Sequence, residues 1–294
     1  MFFEYLKALL YGILEGVTEW LPISSTGHLI LLADRLPFAF SSDPIFLSEF
    51  WEFFEVAVQL GAILALPVLF SERIFPPKKE SSPLQKAVWK QLWKRVILAS
   101  IPAALAGILL DRFLEHLTGK DLQDWLYRPP VVALTLILYG IAFLCVDRRG
   151  RSFSVFSIEE ISNRKAFAVG AFQALSLVPG TSRSGSTILG ATALGIARKP
   201  ASEFSFFLAI PALCGASCLK AIGFFGFLRE SRTVLTGTAA GLLFVGCLAS
   251  FLVSLVSIRF LLNFVGRHSF RAFGIYRIAL GAFVLVDLFW KGGF

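Results

Sequence analysis

The stretch Pro179-Gly180-Thr181-Ser182-Arg183-Ser184-Gly185-Ser186-Thr187 decides how this chain is read. It is polar, carries two glycines and an arginine, and lies inside a chain apolar enough to dissolve in lipid. Hydrocarbon tolerates neither unpaired backbone nor a free guanidinium. The loop is therefore expected to line a cavity, and a cavity lined by Arg183 suits an anion. A second interruption, Pro22-Ile23-Ser24-Ser25-Thr26-Gly27-His28, follows two carboxylates, Glu15 and Glu19. The two interruptions read as parts of one buried polar site.

Composition sets the context. The chain has 294 residues, 56% of them hydrophobic and only 16% charged, with a mean hydropathy of +0.71. A soluble domain carries nearer a quarter charged residues. Long apolar runs without strict alternation point to membrane helices and away from a β-barrel. The net charge of +8 does not argue for nucleic acid, because no basic stripe interleaves with aromatics. Its basic residues cluster between apolar segments, as the positive-inside rule requires. Trp20, Trp51, Trp89, Trp93, Trp125 and Trp290 fall near segment ends and are expected to be interfacial anchors. Cys145, Cys214, Cys218 and Cys247 lie in apolar segments without zinc-ligand spacing and are expected to be small buried hydrophobes. His116 and His268 fall in expected loops. The first apolar segment has no basic flank or cleavage site and is expected to stay in the mature protein.

Apolar segments fall near residues 5–20, 22–34, 53–70, 96–110, 130–146, 166–178, 185–197, 203–223, 234–257 and 272–290. Spanning takes on the order of 20 residues, so 22–34 and 185–197 are too short and read as arms of broken, re-entrant helices. Residues 71–95 hold seven basic side chains against two acidic ones, which places that loop in the cytoplasm. Residues 147–165 (Arg148, Arg149, Arg151, Arg164, Lys165), Arg198-Lys199 and 258–271 follow it inside, while 35–52 and 111–129 lack a basic excess. The expected architecture is an all-α integral membrane protein with both termini outside. It has six transmembrane helices plus two re-entrant helical hairpins that enter from opposite sides. Residues 1–294 form one polytopic domain whose halves, about 1–147 and about 165–294, read as an inverted-topology repeat. An offset of 158 aligns Gly12 with Gly170, Glu15 with Gln173, Ser24 with Ser182 and Gly27 with Gly185. Matched interruptions in two halves commonly mark a site near mid-membrane.

The residue types at these interruptions suit phosphoryl transfer. Glu15 and Glu19 share a helix face, and one ionised carboxylate at mid-membrane costs roughly 2.5–3.5 kcal/mol. A bound cation, a shared proton or Arg183 must offset that cost. Arg183 presents a planar fork of donors to phosphate oxygens, flanked by the hydroxyls of Ser182 and Ser184. Ser186 or Thr187 is expected to open a helix whose N–H groups favour an anion. Ser24, Ser25 and Thr26 supply further hydroxyls, and His28 an imidazole that could move a proton. No Gly-Lys-Ser/Thr follows the glycines, so there is no Walker A loop.

Glu15-Gly16-Val17-Thr18-Glu19-Trp20-Leu21-Pro22-Ile23-Ser24-Ser25-Thr26-Gly27-His28 and Pro179-Gly180-Thr181-Ser182-Arg183-Ser184-Gly185 resemble the two signature motifs of the bacterial undecaprenyl-diphosphatases, also called bacitracin-resistance proteins. Phe54-Glu55-Val56-Ala57-Val58-Gln59-Leu60-Gly61, Ser202-Glu203-Phe204-Ser205-Phe206 and Ile275-Tyr276-Arg277 are also similar to that family, so the resemblance runs nearly end to end. It implies hydrolysis of undecaprenyl diphosphate to undecaprenyl phosphate and inorganic phosphate, which recycles the lipid carrier of peptidoglycan synthesis. It also implies the bacterial inner membrane, a site open to the outer face, a divalent cation (Mg2+ or Ca2+) and a homodimer. By position, the family's essential glutamates fall on Glu15 and Glu19. Its hydroxyl and imidazole groups fall on Ser24, Ser25, Thr26 and His28, and its phosphate-binding arginine on Arg183. In this reading Glu15 and Glu19 hold the metal, or one of them acts as base. Ser25 is the nucleophile with His28 as its proton partner, and Ser24, Thr26, Ser182, Ser184 and Thr187 help bind the diphosphate. Direct attack by water stays open. A transporter or flippase that grips a phosphate-bearing polyprenyl lipid is the alternative.

Overall fold

The computed structural model describes residues 1–119, 126, 128–147 and 152–290. The expected charges Arg148, Arg149 and Arg151, together with Lys120, Asp121, Asp124 and Trp125, lie outside the described residues. Among the described residues twelve α-helices run in order: α1 (Phe2–Thr18), α2 (Ser25–Ala33), α3 (Pro44–Ile63), α4 (Ala65–Leu69), α5 (Ser71–Ile74), α6 (Pro83–Thr118), α7 (Pro129–Val146), α8 (Asn163–Ala174), α9 (Arg183–Ala193), α10 (Arg198–Glu230), α11 (Gly237–Arg267) and α12 (Arg271–Trp290). Among the described residues the only β pairing is an isolated bridge between Val155 and Ile196. Six stretches are long and apolar enough to cross a membrane: Pro44–Leu69, Pro83–Thr118, Pro129–Val146, Arg198–Glu230, Gly237–Arg267 and Arg271–Trp290. This is a multi-pass membrane protein.

Local chemistry sets the helix starts. The Asp43 carboxylate accepts the N–H groups of Ile45 and Phe46 ahead of Pro44, so α3 begins about nine residues before its apolar run. Ser82 and Gln85 form a reciprocal capping box with Pro83 in the first turn, and Gly119 in the left-handed region closes the same helix. Thus α6 extends well beyond the expected 96–110, and Lys86, Lys90, Lys94 and Arg95 ride on a helix rather than a loop. An apolar run measures the thickness of the hydrocarbon; the helix continues past it wherever caps allow and charged ends reach water. His116 accordingly sits in the last turn of α6, and His268 ends α11 and stacks on Phe264.

The two short helix pairs, α1–α2 and α8–α9, are packed by exchange between the halves. α1 lies against α11, and α8 lies against α6. Glycines let both pairs approach backbone to backbone. A Cβ at Gly12 would meet the carbonyl of Gly246, and one at Gly170 the carbonyl of Ala99. α7 packs along α12, and α3 between α10 and α11. At the far end of α7 the fully buried Asp147 takes a bidentate pair from Arg198, at 2.9 and 2.7 Å for its closest two contacts, and the backbone N–H of Phe270. This joins the ends of α7, α10 and α12.

Two sequence expectations change. Trp20 is no interfacial anchor: it is fully buried and meets Phe206 edge-on at 5.2 Å, because the break after α1 is covered by both halves. Nor are the cysteines uniformly buried. Cys145 and Cys218 are exposed and Cys214 and Cys247 half-buried, since hydrocarbon lets small apolar side chains face outward.

Gly170→Leu should lower the melting temperature in detergent by several degrees, a loss of ~2 kcal/mol. Gly215→Leu should leave it unchanged, because a Cβ there meets nothing within 4 Å. Thermal unfolding followed by size-exclusion fluorescence compares the two.

Candidate active site

Both breaks end in a serine whose backbone is left-handed, Ser24 at φ 78° and Ser182 at φ 71°. Such residues are strained unless their surroundings over-determine them. Each serine caps the helix that follows: Ser24 Oγ accepts the Gly27 N–H at 3.3 Å, and Ser182 Oγ accepts the Gly185 N–H at 3.0 Å. The second short helix therefore opens at Arg183, three or four residues earlier than expected from Ser186 or Thr187. Ser25 and Arg183 become the first helical residues after each cap.

These two residues converge on one carboxylate. Ser25 Oγ donates to Glu19 Oε2 at 2.7 Å, and Arg183 Nη2 donates to Glu19 Oε1 at 2.7 Å. Glu19 lies 4% exposed and Ser25 7%. Arg183 Nη1 reaches the Ser205 carbonyl on α10 at 2.6 Å, while its Nε has no partner. Glu19 is thus bonded by a hydroxyl and a guanidinium across some 160 residues of sequence, inside a site shielded from bulk water. Charge-assisted bonds of this kind are about twice as strong as neutral ones.

The other expected site residues arrange around this triangle. Ser184 Oγ donates to the carbonyls of Glu19 (3.0 Å) and Leu21 (3.3 Å), binding one break to the other. Thr187 Oγ1 turns back to the Arg183 carbonyl at 2.9 Å and meets Ser205 Oγ at 2.7 Å. In this state both hydroxyls serve the protein's own framework. Thr26 is half-buried in the first turn of α2. His28 is not hydrogen-bonded to Ser25: its Nδ1–H donates to the Ser24 carbonyl at 2.6 Å, and its Nε2 accepts from the Tyr276 hydroxyl at 2.8 Å. The partner of Ser25 in the structure is Glu19.

Glu15 stands one turn before Glu19, fully buried, with no N–H or hydroxyl donor on either carboxylate oxygen and the Glu19 carboxyl close enough to share a proton with it. Glu55 on α3 lies within electrostatic range of it and also has an unpartnered oxygen. An orphaned carboxylate next to a second one is the donor set that a hard cation such as Mg2+ or Ca2+ takes. Among the described residues no three His, Cys, Asp or Glu side chains enclose a metal by themselves. Residues of this kind fit a cation that completes its shell with phosphate oxygens and water.

Arg277 ends the stretch Ile275-Tyr276-Arg277, and the sequence alone assigns it no role. It is fully buried in α12. Nη1 donates to the Pro22 carbonyl at 3.0 Å; Nη2 donates to the carbonyls of Gly180 and Thr181 at 2.7 and 3.0 Å. Its guanidinium also lies 5.4 Å from the Tyr139 ring. One side chain therefore holds both breaks. The signal was present in the sequence, as an arginine in the middle of an apolar segment.

A family model described as bacitracin resistance protein BacA matches residues 8–283. A protein named undecaprenyl-diphosphatase from Streptococcus mutans is 45% identical over 287 residues, covering 97% of this chain and 96% of its own. Proteins of the same name from Enterococcus faecalis (42%, covering 97% of each chain) and Lactococcus lactis (40%, covering 96% of each) align as fully. With two broken helices, a shared buried triangle and matches of this extent, the chain belongs to the bacitracin resistance protein BacA family.

Proposed function

We propose that this protein hydrolyses undecaprenyl diphosphate to undecaprenyl phosphate and inorganic phosphate, returning the lipid carrier to peptidoglycan synthesis. The observation that carries this reading is the Glu19 carboxylate bonded at once to Ser25 and Arg183, in a chain 40–45% identical to proteins named for that reaction. Transport of a polyprenyl lipid is not favoured, because these relatives are named for a phosphatase.

The chemistry follows from the triangle. Arg183 is held by Glu19 until a diphosphate arrives, and its fork suits two phosphate oxygens. When the diphosphate takes the guanidinium, Glu19 is free to accept the Ser25 proton. Ser25 Oγ then forms a bond to the terminal phosphorus as the bridging P–O bond breaks, and undecaprenyl phosphate leaves. Water hydrolyses the phosphoserine in the second half, with Glu19 returning the proton to Ser25. Attack by water, with Ser25 only binding phosphate, is the competing order of events. Ser24, Thr26, Ser182, Ser184 and Thr187 shape the cradle, and the His28–Tyr276 pair supports the Ser24 turn. Glu15, with Glu19 where Glu19 is not the base, would hold the divalent cation, Mg2+ or Ca2+, which when bound neutralises developing charge on phosphate oxygens.

The setting proposed is the bacterial inner membrane, with basic loops inside and the site open to the outer face. The halves about 1–147 and about 165–294 are read as inverted repeats, and the working unit as a homodimer. The exchanged packing of α1 and α8 and the matched caps at Ser24 and Ser182 support the repeat.

Glu19→Gln, which keeps the shape of the side chain but not its charge or both acceptors, should reduce phosphate release from undecaprenyl diphosphate about a thousandfold in a variant that still folds, with a lowered melting temperature because Arg183 loses its carboxylate. Arg183→Lys should cost about a hundredfold. Purified protein in detergent, assayed for released phosphate, decides both, and near-normal turnover in either would reject the assignment. Rapid quench with labelled substrate should trap phosphate on Ser25; if solvent oxygen enters phosphate with no adduct, water is the nucleophile. Chelator should abolish turnover and added Mg2+ or Ca2+ restore it. Glu15→Gln should raise the cation concentration for half-maximal rate on the order of tenfold.

A further inference from the structure

A second set of charges lies far from Glu19 in sequence, at the N-terminal end of α6. The first three turns of α6 precede its apolar stretch. Lys86, Lys90 and Lys94 recur there every four residues and so share a face. An adjoining face, with Leu84 and Val88, borders a cleft of about 910 Å³ whose opposite wall runs from Ser71 to Lys78 and includes Ile158 and Glu159.

Arg95 lines this cleft and is only 7% exposed. Its Nη1 donates to the backbone carbonyls of Glu159 and Ile158 at 2.9 and 3.5 Å, and its Nε has no partner. No carboxylate bonds it. The nearby Glu159 carboxylate is engaged by Arg73 at 3.3 Å, and Arg73 is itself held at 2.6 Å by Glu203. The remaining charges on the wall are Glu72 and Lys78, both exposed. Glu159 offers Arg95 only an unbonded counter-charge shared with Arg73, and a buried cation so placed gains from a further anion.

The rim is also apolar. Phe75 is 57% exposed, Leu84 73% and Val88 41%, beside exposed Lys78, with Lys90 and Lys94 exposed on the adjoining face of α6. Large apolar groups interleaved with lysines at the end of a membrane span match the boundary between headgroups and acyl chains. A free anion would use Arg95 but leave Phe75 and Leu84 in water.

We infer that this cleft binds an anionic glycerophospholipid. The phosphodiester lies toward Arg95 and Lys78, and the upper acyl chain lies over Phe75, Leu84 and Val88. The site is separate from the Glu19 triangle and does not depend on the reaction proposed there. Trp89, which lines the cleft, and its neighbour Trp93 supply the reporter.

Full-length protein reconstituted in lipid discs with brominated-tail phosphatidylglycerol, or with brominated phosphatidylcholine at the same fraction, should show stronger quenching by the anionic lipid. The difference between wild type and Trp89→Phe/Trp93→Phe isolates the signal from the cleft. The preference should be about fivefold and fall severalfold in Lys78→Gln/Lys90→Gln, whose changes are on the surface, and in Arg95→Gln. Equal quenching by the two lipids, or an undiminished preference in the double lysine variant, overturns the assignment. Displacement by millimolar inorganic phosphate would identify a free-anion site and overturn the lipid assignment as well.

Discussion

Interrupting a helix inside apolar surroundings strands its backbone carbonyls, and this structure depends on how they are satisfied. An unpaired buried peptide group costs several kcal/mol in a medium without water. Here each break is answered by side chains from elsewhere in the fold. Arg277 takes the carbonyls of Pro22, Gly180 and Thr181. Ser184 takes those of Glu19 and Leu21, and Thr135 on α7 takes that of Pro179 at 2.7 Å. The first break is thus satisfied partly by the second, and both by α12. Neither break can be satisfied in this way until the two halves meet, so the geometry of the site is a consequence of assembling the whole fold. Gly180, at φ 86° with Thr135 and Val132 against the space a Cβ would fill, allows that close meeting.

The charges follow the same logic with one exception. Glu19 and Arg183 offset each other, and Asp147 and Arg198 do so at the far end of α7. Arg277 spreads its charge over three carbonyl dipoles and lies near the Tyr139 ring. Glu15 is fully buried and has no cationic or N–H partner, only the neighbouring carboxylates of Glu19 and Glu55. A folded chain keeps such a group only where a ligand or a proton completes it. The unmet need at Glu15 and the capacity of Arg183 to change partners both lie next to Glu19, where the proposed chemistry takes place.

Much of this was legible in the sequence, for physical reasons. Hydropathy counts spans because the hydrocarbon thickness is fixed, and polar interruptions too short to span mark breaks because bare backbone is excluded from lipid. Glu15, Glu19 and Arg183 stood out because charge at that depth is expensive. What was not legible depended on partners distant in the chain. The burial of Trp20 follows from Phe206 on α10. The bond from Ser25 to Glu19, rather than to His28, appears only once the chain turns at Ser24 and His28 is engaged by the Ser24 carbonyl and Tyr276. Arg277 looked like one more residue of a motif until its three carbonyl acceptors came from two separate loops. Helix lengths were short in the reading because caps such as Asp43 and Ser82 lie outside the apolar runs.

The offset of 158 residues that pairs Ser24 with Ser182 also pairs Ser25 with Arg183 and Glu15 with Gln173. The backbone treats these positions alike: the same left-handed cap, the same N–H taken by its hydroxyl, the same first helical residue. The side chains do not. Equivalent first-turn positions present a hydroxyl on one side and a guanidinium on the other, and both point at one carboxylate that has no counterpart across the offset, where Leu177 stands. Had both halves carried carboxylates, two like charges would face each other in a dry site and repel; two arginines would do the same. A matched pair of turns with unmatched side chains sets a hydroxyl and a guanidinium on opposite sides of one carboxylate, which neither half could do alone.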